Sequence, residues 1–385
     1  MAESNIPEES FRLLKPALPK MLQTLRKFVT CESPSFDKPA ADRCCSLIAE
    51  VWRQDSARIQ RIKQKHRGDH LLITFEPGTS HSKRQLLVLG HYDTVHSVGT
   101  LRKMPFHISG GRAYGPGTFD MKAGIVQALF ALKALRQPSA AVRKRIVFLW
   151  TSDEEIGSES SRNLIESEAR RSDAVFVLEP SYGPEGHLKT SRKGVGEAEL
   201  IVHGRASHAG LAPEDGVNAI HELAVQISRI EKWNDLRRGI TINADRIEGG
   251  TRVNVIAECA RAMLDLRART LRDMRSLERR LHSLRPIHPG ARLEIKGGFT
   301  RPPLERIVSA VLFARAQSLA SQMNLKLNEC SVGGGSDGNF TAALGIPTLD
   351  GLGAVGDGAH SAQEHILIHT MPTRAALLAS LLASS

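Results

Sequence analysis

The sequence predicts an α/β protein whose mostly parallel sheet is interrupted by a smaller α+β domain, and three observations carry that prediction. Between about Leu71 and Leu178, short apolar runs alternate with helix-like stretches. Near Ser191 the pattern changes to alternating, half-exposed strands, and after Arg301 the first pattern resumes.

The apolar runs come first. "LLITFEP", "LLVLGH", "RIVFLWTS" (145–152) and "AVFVLEP" (174–180) have no polar face, as expected of strands covered on both sides. "MKAGIVQALFALKALR" (121–136) suits a buried helix between them. Such alternation builds a largely parallel sheet with helices on its faces. The middle segment reads differently. "GVGEAELIVHG" alternates like a half-exposed strand, and "DGVNAIHELAVQISRIEKW" (215–233) is an amphipathic helix. "GITINADRIEGG" and "NVIAECARAMLDLRA" follow as strands, then "LRDMRSLERRLHSLR" (271–285) as a helix and "ARLEIKGGFT" (291–300) as a strand. That order, β-α-β-β-α-β, is the ferredoxin-like arrangement. The predicted domains are therefore 1–190 with 301–385, and an insert at 191–300.

Composition narrows the function. Lys and Arg number 52 against 41 Asp and Glu, a net charge of +11. The basic residues are spread out, densest in "RIQRIKQKHR" (58–67) and "RRLHSLR" (279–285), and aromatics are only 5%, so no stacking platform for nucleic acid accompanies them. A solvated basic face is expected instead, and it suits a substrate with a free carboxylate. No apolar run approaches the ~18 residues of a membrane span. The N-terminus lacks a secretory pattern, and five scattered cysteines without a CxxC fit a reducing cytoplasm.

The strand ends carry the chemistry. "VLG" runs into His91 and Asp93, "IVFLWTSD" into Glu154 and Glu155, and "AVFVL" into Glu179. Asp120 lies in the Gly/Pro turn "YGPGTFDMKAG", and His360 follows the glycine-punctuated "LDGLGAVGDGAH". Ligands of open α/β sheets bind beyond the carboxyl ends of the strands, so these groups are expected to converge. Each piece alone is ordinary: an acidic cluster such as "DEE" commonly opens a helix. Together, that many carboxylates repel one another unless a cation joins them. Imidazole with carboxylate suits Zn²⁺, Mn²⁺ or Co²⁺, and two histidines with three acids can hold two ions if one acid bridges. A further acid is then free to act as general base.

"GHYDTV", "GPGTFDMKAG", "TSDEEIGS", "LEPS", "GRASHAG" and "GDGAH" occur in that order over residues 90–360. In this the chain resembles the di-zinc family of bacterial glutamate carboxypeptidase, acetylornithine deacetylase, succinyl-diaminopimelate desuccinylase and aminoacylase. The resemblance implies that Asp120 bridges two Zn²⁺ ions, which Co²⁺ or Mn²⁺ can replace. His91 and Glu179 would complete one site, Glu155 and His360 the other. Glu154 would be the general base acting on a metal-bridging hydroxide, and Asp93 would orient His91. The peptide between Asp120 and Met121 is expected to be cis. The resemblance also makes the insert a lid through which the chain dimerises, and His208 a residue that reaches the partner's site. Asn254 and Arg267 match positions that grip a substrate carboxylate, for which the Arg fork is suited. "GGGSDGNF" (333–340), with Gly334 and Ser336, resembles a glycine-rich stretch near the family's active site. Lys122 reads as structural.

The expected activity is hydrolysis of an amide bond in a small peptide or N-acyl amino acid ending in a carboxylate, in the manner of a glutamate carboxypeptidase. The wording of "GHYDTV", "SDEEIGS" and "LEPS" resembles that branch, and within the resemblance Glu rather than Asp at 179 implies a carboxypeptidase or deacylase rather than a dipeptidase or aminopeptidase. Deacetylase or desuccinylase activity is the alternative within the class. A catalytically inactive dimeric binding protein is the alternative outside it, although none of the six acidic and imidazole positions is lost.

Overall fold

The computed structural model describes the chain except residues 1–5, 54–57, 78–83 and 138–141. Among the described residues it forms two compact units. The first runs to Thr190 and takes up again at Arg306–Ser331 and Ser336–Ser385; the second is Ser191–Glu305 with Val332–Gly335.

The first unit is built on a mixed six-stranded sheet, in the order 58–62, 70–75, 145–151, 85–91, 172–177, 348–349. Strand Gln85–His91 lies at its centre, buried at every position, and pairs in parallel with Arg145–Thr151 and Ser172–Val177. Its side chains alternate between two cores. Leu86 and Val88 face the cluster that holds helices Ala123–Leu135 and Met371–Ser384, while Leu87 and Leu89 face Ile165, Ala169 and Phe340. An apolar run with no polar face is what this double covering requires. The helix Ala123–Leu135 is buried almost all round, as its uninterrupted apolar stretch implies.

One edge departs from the largely parallel expectation. Arg58–Ile62 and His70–Phe75 pair antiparallel, and His70–Phe75 runs antiparallel to Arg145–Thr151 as well. A link too short for a crossover allows only an antiparallel return. The basic run "RIQRIKQKHR" is thus partly strand: Arg58–Ile62 lies at the sheet edge with every side chain exposed or half-buried.

In the second unit the elements follow the order strand Gly194–His203, helix Ala219–Glu231, strands Thr241–Gly249 and Cys259–Ala268, helix Leu271–His282, strand Arg292–Arg301. The four strands form an antiparallel sheet in the order 241–249, 259–268, 194–203, 292–301. Alternation along Gly194–His203 sends Ala198, Leu200 and Val202 into a core with Leu223 and Leu277 from the two helices. Both helices begin on a side-chain cap: Asn218 accepts from the Ile220 and His221 N–H groups, and Thr270 from that of Asp273. Val332–Gly335 joins this unit because Lys193 N–H donates to the Val332 carbonyl and Arg192 to those of Gly334 and Gly335.

Candidate active site

Three parallel strands deliver the predicted residues to one end of the sheet. His91 is the last residue of Gln85–His91, Glu154 and Glu155 form the turn after Arg145–Thr151, and Glu179 follows Ser172–Val177. Beside Asp120, the Met121 methyl packs over Gly90, where a Cβ would meet it at 2.6 Å. Met121 sulfur in turn accepts the His91 N–H at 3.3 Å. The Asp120–Met121 peptide is cis, as expected. Lys122 is buried and structural: its ammonium donates to the carbonyls of Phe28 and Cys31.

The carboxylate of Asp120 faces two ways. Its Oδ1 lies 3.2 Å from His91 Nε2, and Glu179 Oε1 lies 3.6 Å from the same nitrogen. Its Oδ2 lies 3.4 Å from His360 Nε2, which is 3.1 Å from Glu155 Oε2. Two groups of donors therefore share one carboxylate, and in each the donor atoms lie within 4.8 Å of one another. Bonds of about 2.0–2.1 Å in a tetrahedron place neighbouring donors about 3.3 Å apart. The observed separations bracket that value, so the residues fit two divalent ions with Asp120 between them.

The electrostatics agree with the geometry. Burial works against a charged His91, yet Asp120, Asp93 and Glu179 together push its pKa well above the ordinary imidazole range. Asp120 and Glu155 hold His360 up at about 10. Burial would raise the Asp120 carboxyl, but His360 and His91 hold it well below the usual range. Burial raises that of Glu155. The acidic cluster thus favours positive charge at and between the two imidazoles. His360 also adopts φ +63°, a left-handed conformation unusual for a residue with a Cβ and of the kind that collects at functional sites.

Asp93 ties the two sides together. His91 Nδ1 lies 3.1 Å from the Asp93 carbonyl and 3.3 Å from its Oδ1. Two acceptors there require the proton on Nδ1, which leaves the Nε2 lone pair free for a ligand. The same carboxylate accepts from Ser35 Oγ at 2.7 Å and from the Glu154 and Glu155 N–H groups at 3.3 Å.

The remaining predicted residues are dispersed. His208 is exposed in the second unit, and its Nδ1 accepts the N–H groups of Gly210 and Leu211 at 3.1 Å, so Nε2 is its donor. Asn254 is exposed in the same unit. Arg267 holds Asp265 through Nε and Nη2. A side chain at Gly334 would meet open space. Ser336 belongs to the first unit and is fully buried, its hydroxyl donating to Asp350 and accepting from the Gly338 N–H.

Sequence reasoning missed the supports. Asp337 is buried beneath the 151–158 loop and accepts from the hydroxyls of Ser158 and Thr151. Arg374, buried among the carbonyls of Gly353, Gly186 and Gly351, fixes the segment whose Gly353 N–H donates to the Glu179 carbonyl. The one available signal was a charged residue inside an otherwise apolar helix, "MPTRAALLASLLAS". A cavity of about 750 Å³ in the first unit is lined by Phe119, Ser181, Tyr182, His187 and Lys189 among others. It borders Phe119, the residue before Asp120.

A sheet end that gathers two imidazoles around a shared carboxylate is the setting of a metal-assisted hydrolase. The chain belongs to Peptidase family M20/M25/M40, whose profile matches residues 87–384. It is 29% identical to carboxypeptidase G2 of Pseudomonas sp. (strain RS-16) over 373 residues, covering 94% of this chain and 89% of that protein. It is 27% identical to acetylornithine deacetylase of Klebsiella pneumoniae (strain 342) over 293 residues, 69% of this chain and 72% of that one. In fold it is similar to the crystal structure of aminopeptidase PepT from Bacillus cereus ATCC 10987. There the TM-score is 0.79 at 20% identity, over 95% of this chain and 98% of that one. Among the described residues no helix is long and apolar enough to cross a membrane.

Proposed function

We propose that the protein hydrolyses the amide bond of a small peptide or N-acyl amino acid with a free carboxylate, in the manner of a glutamate carboxypeptidase. The observation that carries this reading is the orientation of Asp120, one oxygen towards His91 and Glu179 and the other towards His360 and Glu155. Two divalent ions held there, zinc by the imidazole and carboxylate donor set, would polarise the scissile carbonyl and acidify a water.

The protein's own groups do the rest. Glu154 takes the proton of the attacking water and hands it to the leaving amine, a role open to it because neither group of donors uses its carboxylate. Its position is set by the N–H that it donates to Asp93, the residue that also fixes the His91 tautomer. The second unit acts as a ferredoxin-like lid and dimerises. His208 then offers its Nε2–H to the carbonyl oxygen as charge develops there, and Asn254 and Arg267, with Gly334, receive the substrate carboxylate; Ser336, buried with its hydroxyl on Asp350, is left out of that role. Five free cysteines are in keeping with a reducing cytoplasm. The similarity to carboxypeptidase G2 over most of both chains supports the peptidase reading, and that to an acetylornithine deacetylase supports N-acyl hydrolysis as the alternative.

A panel of dipeptides and N-acyl amino acids, each with a free or an amidated carboxylate, tests the reading. Turnover of the free acids and not of the amides is expected, and the preferred leaving residue decides between the two branches. Turnover that ignores the carboxylate contradicts the substrate assignment.

A further inference from the structure

Glu364 has no part in either group of donors, yet it is 1% exposed and its carboxylate is aimed at the main chain beside Asp120. Its Oε1 accepts the N–H groups of Phe119 at 2.8 Å and Asp120 at 3.0 Å. Its Oε2 accepts that of Gly117 at 2.9 Å and lies 3.1 Å from His96 Nε2. Its own carbonyl accepts from the Gly115 N–H. One buried side chain thus receives three of the N–H groups along the Gly115–Asp120 turn. It also meets an imidazole five residues beyond His91.

The residue stands four positions after His360, in a turn closed by hydrogen bonds from Ser361 N–H to the Gly358 carbonyl and from Glu364 N–H to that of Ser361. The turn that presents His360 and the turn that presents Asp120 are therefore fastened to each other through one carboxylate. A carboxylate accepting several N–H bonds holds its donors far more firmly than a neutral acceptor does, because each bond is charge-assisted. Asp120 belongs to both groups of donors, so whatever fixes its backbone fixes both positions.

We propose that Glu364 is a positioning residue that sets the placement of Asp120 against His360, and through the shared carboxylate governs the affinity of both ions. The proposal rests on the two-ion reading of the site. It separates Glu364 from Asp93, whose contacts fall on His91 and on the Glu154–Glu155 turn. It also separates Glu364 from a merely structural acid, whose loss would lower the stability of the metal-free protein and leave the affinity of the folded protein for metal untouched.

The test is a chelator-competition titration with Zn²⁺ on full-length wild type and Glu364→Gln, resolving both binding steps. The Co²⁺ absorption spectrum and denaturant unfolding of the metal-free proteins accompany it. Glutamine keeps the shape but turns an NH₂ towards one set of N–H donors. Both stepwise affinities are expected to fall together by about 10–100-fold, the usual consequence of losing an outer partner of a ligand, with a changed Co²⁺ spectrum. Folded Glu364→Gln that binds both ions within about two-fold of wild type overturns the proposal. Should that variant not fold, Glu364→Asp decides, since it keeps the charge but shortens the reach to the Gly117, Phe119 and Asp120 N–H groups. A joint, several-fold weakening of both ions supports the proposal, and unchanged affinities overturn it. Wild type that binds no ion is a different result, and it removes the two-ion reading itself.

Discussion

Replacing Asp93 by Asn leaves the volume of the site unchanged and removes one charge. In the wild type, Oδ1 faces His91 Nδ1 and the Glu154 N–H, and Oδ2 faces Ser35 Oγ and the Glu155 N–H. An amide has one acceptor oxygen; the cheaper orientation turns its NH₂ towards Ser35, whose hydroxyl can reverse and accept, and leaves the Glu155 N–H facing the NH₂. Hydrogen bonds to a charged group contribute about 1.5–3 kcal/mol each. Three of these four contacts measure 3.3 Å, at the long end for such bonds, which argues for the lower figure. One lost bond, with the others no longer charge-assisted, then costs about 1.5–3 kcal/mol, or about one to two powers of ten at 1.36 kcal/mol per decade. Competition with a chelator gives the metal affinity, and initial rates on the best substrate give kcat/KM. Each is expected to fall by about 10–100-fold. Values within about two-fold of wild type for both would refute the claim that the Asp93 carboxylate supports His91 as a ligand and sets the Glu154 turn.

Three further outcomes are expected. Glu154→Gln lowers kcat by about 10²–10⁴-fold and leaves both ions bound, as assayed by steady-state rates beside elemental analysis. In the second unit, Leu200 is fully buried, so Leu200→Ala lowers unfolding stability by about 2–5 kcal/mol, read by urea denaturation. Glu222 is buried in the same unit; burial opposes its charge, but Gln226 and the His288 and Ile287 N–H groups hold its carboxyl below the ordinary value of 4.5. A depressed folded-state pKa stabilises the fold above the unfolded value and ceases to do so as pH falls through the folded one. The stability difference between wild type and Glu222→Gln should therefore be constant above pH 4.5 and shrink in more acid solution, as denaturant titrations at several pH values would show.

The sheet and the site were legible to different depths. Runs such as "LLVLGH" and "AVFVLEP" declare doubly buried strands because nothing polar interrupts them, and polar residues at their ends are visible in one dimension. The direction of His70–Phe75 was not legible, since an apolar run reads the same in either orientation and strand pairing is a long-range property. Glu364 shows the same limit at the site. Its partners are main-chain N–H groups 244 or more positions away, and main-chain groups carry no sequence signal. His360 was found because "GDGAH" belongs to an ordered set of motifs; its left-handed backbone is a property of the fold that no neighbouring residue announces. Ser336 differs again: the run "GGGSDGNF" resembles a glycine-rich stretch near the family's active site, whereas the Ser336 hydroxyl is committed to Asp350 inside the first unit.

In the proposed centre one carboxylate, that of Asp120, serves two ions. Counting metal per chain by native mass spectrometry, in zinc-reconstituted wild type and in Asp120→Asn, tests that most directly. Two ions in the wild type are expected, with both weakened by the single substitution because each group of donors includes Asp120. A wild type that binds none, or an Asp120→Asn protein that keeps both with undiminished affinity, would contradict it.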